Sequence, residues 1–148
     1  MLIEEYFLRL EQVLTFCPQV AHMTLTKEKR APYLGFVKGE IVFSGGIQLF
    51  IMEFVHTEPG VIKTKYRYHC QDATGNPLFR YDNAPHHPIE TFPHHKHTFS
   101  VKKKPDDEVW ASVNAYHLSL FISTCPKKLS KDISFNLRCL QTSPSHSR

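Results

Sequence analysis

Tyr66-Arg67-Tyr68-His69-Cys70-Gln71-Asp72-Ala73-Thr74-Gly75-Asn76-Pro77-Leu78-Phe79-Arg80-Tyr81-Asp82-Asn83-Ala84-Pro85-His86-His87 is the stretch that decides the fold. Its flanks alternate in residue type and its middle is a turn. It therefore reads as a β-hairpin running into a loop rich in proline and histidine. Over residues 61–70, Ile62, Thr64, Tyr66, Tyr68 and Cys70 point one way, and Lys63, Lys65, Arg67 and His69 the other. With Asp72-Ala73-Thr74-Gly75 as the loop and Gln71 opposite Asn76, Tyr68 faces Phe79, Tyr66 faces Tyr81, Arg67 faces Arg80 and Lys65 faces Asp82. One face of the hairpin is then aromatic and joins a core, while the other is cationic. Arg67 directly opposite Arg80 is unfavourable unless an anion intervenes, be it Glu53, Asp82 or a bound polyanion.

Downstream, Pro85, Pro88 and Pro93 exclude an inner strand, so residues 83–93 form an extended loop and 94–101 a last strand. Upstream, residues 33–43 and 47–56 are strands joined at Ser44-Gly45-Gly46. The second is apolar on both faces and belongs in the middle of a sheet. Glu53 is its exception: it must face solvent, pair with a cation or serve a site, and an Arg or Lys partner at the sheet edge is the favoured reading. Residues 20–25 read as a short strand, and Lys27 to Arg30 as a charged loop. Ile3, Phe7, Leu10, Leu14 and Cys17 recur at helical spacing over 2–17, ahead of Pro18, so a helix packs on the sheet. Pro105-Asp106-Asp107-Glu108 starts a second helix that runs to about Ser123, and 141–148 is a polar tail. The expected fold is α+β: an N-terminal helix on a twisted antiparallel sheet of about four to six strands. Residues 1–104 form a single domain, and 105–148 form a helical extension of it. Strands 33–43 and 94–101 are the ones left to pair with another chain, as in a homodimer.

Composition narrows the class. No long uncharged apolar run exists, so no membrane partner is expected. Glu4, Glu5, Arg9 and Glu11 interrupt any signal-peptide core. Cys17, Cys70, Cys125 and Cys139 are widely separated with no CxxC pair, which fits a reducing cytoplasm. The net charge of +4 is concentrated. Residues 61–104 hold eight Lys and Arg against three carboxylates, so the remainder is slightly acidic. A local basic patch fits a polyanion, although a solvated face has the same composition.

Six of the ten histidines fall in that same segment. Imidazoles suit zinc, copper, nickel or iron. Yet the spacing is not that of a zinc finger, no HExxH occurs, and adjacent histidines on a strand point to opposite faces. The expectation is that His86, His87, His94, His95 and His97 do not all converge, with no metal and no cofactor. Acid–base chemistry on RNA is the second reading. A 2′-hydroxyl needs a base, the leaving 5′-oxygen an acid, and the phosphorane a cation. His69, Arg67 and Arg80, with His94, His95 or His97, supply that set. Lys63, Lys65, Lys96, Asp82, Asn83, His86 and His87 would contact the RNA. Tyr68, Tyr81 and Phe92 could stack bases, though core packing suits the first two better. A plainer reading is that Asn83 and the loop histidines only pin the loop by hydrogen bonds.

Three strings in this region, Tyr66 to His69, Phe79 to His87 and Thr91-Phe92-Pro93-His94-His95-Lys96-His97, resemble the TumE family of bacterial and archaeal toxin–antitoxin proteins. Gly39 to Gly46, leading to Glu53-Phe54, resembles the family's upstream strand–turn–strand. The likeness covers about residues 1–97. It implies the toxin half of a type II module, neutralised by a small antitoxin that commonly carries a helix-turn-helix, and a RelE/barnase-like outline. A metal-independent endoribonuclease that inhibits translation, acting on RNA or the ribosome, is the activity inferred with it; a non-catalytic RNA-binding or interaction module is the alternative. Two positions depart from the family pattern: Gly45 in a turn that is typically Ser-Asp-Gly, and Cys70 where an aromatic is usual. After His97 the likeness fades.

Overall fold

In the computed structural model, which describes residues 1–99 and the backbone of 108–111, one helix packs on an antiparallel sheet. The elements are α1 (Ile3–Thr15), β1 (Val20–Ala31), β2 (Leu34–Phe43), β3 (Gln48–His56), β4 (Ile62–Gln71), β5 (Pro77–Asp82), β6 (His95–Thr98) and β7 (Glu108–Ala111). The seven strands lie in chain order, each antiparallel to the next. The fold is α+β as expected, and the described residues hold one strand more than the upper expectation.

α1 buries Ile3, Phe7, Leu10 and Leu14. Glu5 reaches back to accept the Leu2 N–H at 2.6 Å, and Glu4 and Glu5 sit at the positive end of the helix. The buried stripe lies on Val37, Ile41, Leu49, Ile51, Val55, Tyr66, Tyr68 and Cys70, which alternate along β2–β4. Gly35 on β2 allows the close approach. A Cβ there would stand 2.5 Å from Ile3 Cγ1 and 2.7 Å from Phe7 Cζ. Gly35→Val should therefore lower stability by about 1–3 kcal/mol in a denaturant melt, because α1 must lift from the sheet. An unchanged midpoint would contradict this packing.

Several elements differ from the sequence reading. Lys27 to Arg30 continue β1 instead of forming a loop. The strand is an edge, where charge is tolerated, and Lys27 and Lys29 pair with Glu11 and Glu4 of α1. β2 and β6 are paired on both sides, so neither is an edge open to another chain. Residues 108–111 are strand β7 where a helix was expected. Glu-Val-Trp-Ala includes two good strand formers, and it pairs with β6. The rest of that expected helix, and the tail, lie outside the described residues.

The hairpin is real, but its register slips by two. Arg67 faces Asp82, Tyr68 faces Tyr81, His69 faces Arg80 and Cys70 faces Phe79. The loop closes one residue later than expected, by the Asp72 N–H to the Asn76 carbonyl at 2.9 Å. The Asp72 carboxylate gathers the Thr74 and Asn76 N–H groups at 2.9 Å each. These hydrogen bonds, with those of the Thr74 hydroxyl and Asn76 amide, lower its pKa to about 2. A bulge at Leu78 adds the second residue. An even slip keeps every face, so the aromatic and cationic sides stand as expected. Arg67 lies across from Asp82 and not from Arg80.

Another bulge, at Thr64, turns Lys63 to the helix side. This corrects the outward placement of Lys63 and supplies the partner of Glu53. The carboxylate is fully buried and receives Lys63 Nζ at 2.7 Å, Tyr68 Oη at 2.5 Å and the Tyr6 hydroxyl from α1. The ion pair lies inside the sheet and not at its edge. Burial first, then the Glu53 charge, raise the pKa of both tyrosines, so each stays a donor.

Candidate active site on the open face of the sheet

Alternation along β2–β6 sends a second set of side chains away from α1. They are Phe36, Lys38, Phe50, Met52 and Phe54, then Lys65, Arg67 and His69, then Arg80 and Asp82, then His95 and His97. On β2 and β3 this face is half-exposed. Phe36 and Phe54 lie 4.6 Å apart between ring centroids, and Phe50 lies 6.2 Å from His69. An open groove of about 400 Å³ runs over Phe36, Lys38, Phe50 and Met52 to Arg67. The sequence reading missed this aromatic floor. Its signal was the alternate positions Phe50, Met52 and Phe54, which leave the second face of this strand apolar as well as the face under the helix.

Arg67 and Lys65 are exposed, and His69 and Arg80 half-buried, on adjacent rungs of β4 and β5. Burial lowers the His69 pKa, Gln71 opposes the shift through a hydrogen bond, and the Arg80 and Arg67 charges add to it. The ring is therefore neutral at pH 7, with a lone pair free to take a proton.

At the far end Asp82 is buried and collects polar groups. Arg80 Nε donates to Oδ2 at 3.0 Å and the Ala84 N–H to Oδ1 at 3.0 Å. His95 Nε2 lies 2.9 Å from Oδ1, and His97 Nε2 3.6 Å from Oδ2. An Arg80 terminal nitrogen donates to His97 Nε2 at 3.0 Å. The Pro/His segment folds over this end and packs His86 and His87 against His95, with centroids at 4.7 and 4.9 Å. His86, His87, His95 and His97 thus converge and His94 does not, in keeping with the expectation that the five would not all meet. His95 and His97 are two apart and share a face, and a turn lets neighbouring His86 and His87 aim together.

Other expected residues sit elsewhere. His94 leaves the cluster: its Nδ1 lies 2.9 Å from Tyr66 Oη and its ring stacks on Tyr66. Burial, then His95, lower its pKa. Lys96 lies over the Phe79 and Tyr81 rings on the helix side. Lys63 is held by Glu53. Asn83 accepts the Tyr66 N–H at 2.8 Å and donates to the Thr64 carbonyl at 3.1 Å, which is the plainer pinning role. Tyr68 and Tyr81 are core, and Phe92 is exposed.

A helix on one face and a basic, aromatic, histidine-rich open face on the other define a small α+β protein with one built end. A family model for toxin TumE matches residues 9–124, and the chain belongs to that toxin family. The match continues past His97, where the sequence likeness faded. No curated protein and no solved structure matches. Membership of a toxin family implies an antitoxin partner. Among the described residues, no helix is long and apolar enough to cross a membrane. Gly45, where the family has aspartate, lies at φ 94° with open space around it. Glycine adopts that left-handed geometry without the strain that a side chain, aspartate included, would meet there.

Proposed function

We propose that this toxin is an endoribonuclease whose open sheet face binds single-stranded RNA and cuts it at the Arg67–His69–Arg80 row. The observation that carries this reading is the placement of a neutral histidine between two guanidinium groups, at the end of a groove floored by Phe36 and Phe50. Aromatic faces stack bases, and cations along the groove hold phosphates. His69 takes the 2′-hydroxyl proton, and Arg67 and Arg80 stabilise the phosphorane. The histidine cluster beside Arg80 serves the leaving oxygen. A small helix-turn-helix antitoxin would complete a type II module in the cytoplasm.

Induced expression should arrest growth and degrade cellular RNA, and Arg67→Ala should relieve both. Growth arrest with intact RNA would leave a non-catalytic binder as the surviving reading. The pH profile is a sharper check. A depressed His69 pKa keeps the base active until the pH falls through it, so the acidic midpoint of kcat/KM should lie below about 6.5. Arg80→Gln should move that midpoint upward, because it removes a charge that lowers the pKa. A midpoint above 6.5 in the unaltered protein would exclude His69 as the base.

A further inference from the structure

The ring nitrogens of His86, His87, His95 and His97, one from each, all lie within 4.8 Å of one another. His95 is fully buried, and its Nδ1 is 2.8 Å from the Pro93 carbonyl. A carbonyl only accepts, so Nδ1 carries the proton and Nε2 is left with the lone pair. That lone pair points toward a carboxylate oxygen 2.9 Å away, off the line of a hydrogen bond. Among the described residues, none donates a hydrogen bond to His95 Nε2. Two buried acceptors this close are stabilised by a cation between or beside them.

We propose that these four histidines bind a divalent transition-metal ion, with zinc the best match. All four donors are imidazole nitrogens, which favour zinc and its neighbours over magnesium or calcium. His97 accepts from Arg80 at Nε2, so it joins the set through Nδ1, with the ring proton moved to Nε2 and that hydrogen bond released. His95 and His97 centroids are 4.8 Å apart and His86 and His87 centroids 4.1 Å apart, so the four rings are already gathered around one point. Zn–N bonds of about 2.0–2.1 Å place tetrahedral donors about 3.4 Å apart. The cluster must tighten by about an ångström. His86 is exposed and His87 half-exposed on a turn, so the movement falls on the side chains freest to make it. The outer groups are already in place. The Pro93 carbonyl orients His95, and Asp82, held by Arg80 and the Ala84 N–H, backs the two strand histidines. The ion ties the 83–94 segment to β6. With all four positions filled by imidazole the site is closed, so the role of the ion is structural and its binding does not depend on the RNA-cleavage reading.

The test uses the full chain, purified untagged and without chelator. Elemental analysis should find about one zinc per chain. After the metal is stripped, Co2+ should bind at one equivalent and give the visible absorption of tetrahedral nitrogen coordination. His86→Ala and His87→Ala, at positions whose loss leaves the core intact, should each remove that absorption, whereas His94→Ala should keep it. Absence of both zinc and Co2+ absorption in the folded protein would overturn the proposal. So would equal loss on His94→Ala. Metal is measured without RNA: a chain that binds metal and cuts no RNA removes only the cleavage reading. A chain that binds no metal and cuts RNA at full rate in chelator removes only the metal site.

Discussion

His69→Ala should lower the rate of RNA cleavage by the purified protein about 10²–10⁴-fold, the usual contribution of a positioned base. The loss should appear in kcat, with RNA affinity nearly unchanged, because Lys65, Arg67 and Arg80 still hold the phosphates. His69 lies half-buried on the open face against Phe50, outside the core under α1, so thermal stability should change little. Parallel melts and single-turnover kinetics separate the two effects. If His69→Ala cuts RNA at the original rate, the base is another group, and the neutral histidine between two arginines is only a feature of the surface.

Glu53→Ala should have the largest effect on stability, about 3–5 kcal/mol. The substitution leaves Lys63 buried without its counter-charge, and it strips Tyr6 and Tyr68 of their acceptor. The double change Glu53→Leu with Lys63→Met should be much milder, since replacing both charges by apolar groups of similar size is often neutral. Denaturant midpoints of the single and double variants decide this. A double variant as unstable as Glu53→Ala would mean that the tyrosine hydrogen bonds, and not the buried charge, dominate.

The faces of the sheet were legible because alternation has period two. Even when the hairpin register slipped by two residues, Tyr68 and Arg67 kept their sides. Bulges break that logic, and no residue pattern announced the one at Thr64. Lys63 was therefore placed on the wrong side, and the partner of Glu53 was sought at an edge. The charged run Lys27 to Arg30 looked like a loop because its salt bridges to α1 join residues far apart in sequence. The histidine cluster was the hardest part to read. His95 and His97 share a face by simple periodicity. The approach of His86 and His87 depends on a turn after Ala84 and a fold-back through three prolines, which no spacing rule gives. Residues 2–17 and 33–56 were clearer: helical spacing, a glycine turn and an apolar strand each dictated one element.

The most direct measurement is of the ends produced when the purified protein is incubated with a labelled RNA. Attack by a 2′-hydroxyl activated at His69 yields 2′,3′-cyclic phosphate and 5′-hydroxyl termini, and those are the expected products, absent with His69→Ala. Intact RNA, or 3′-hydroxyl and 5′-phosphate termini, would contradict the assignment of the open face as a ribonuclease site.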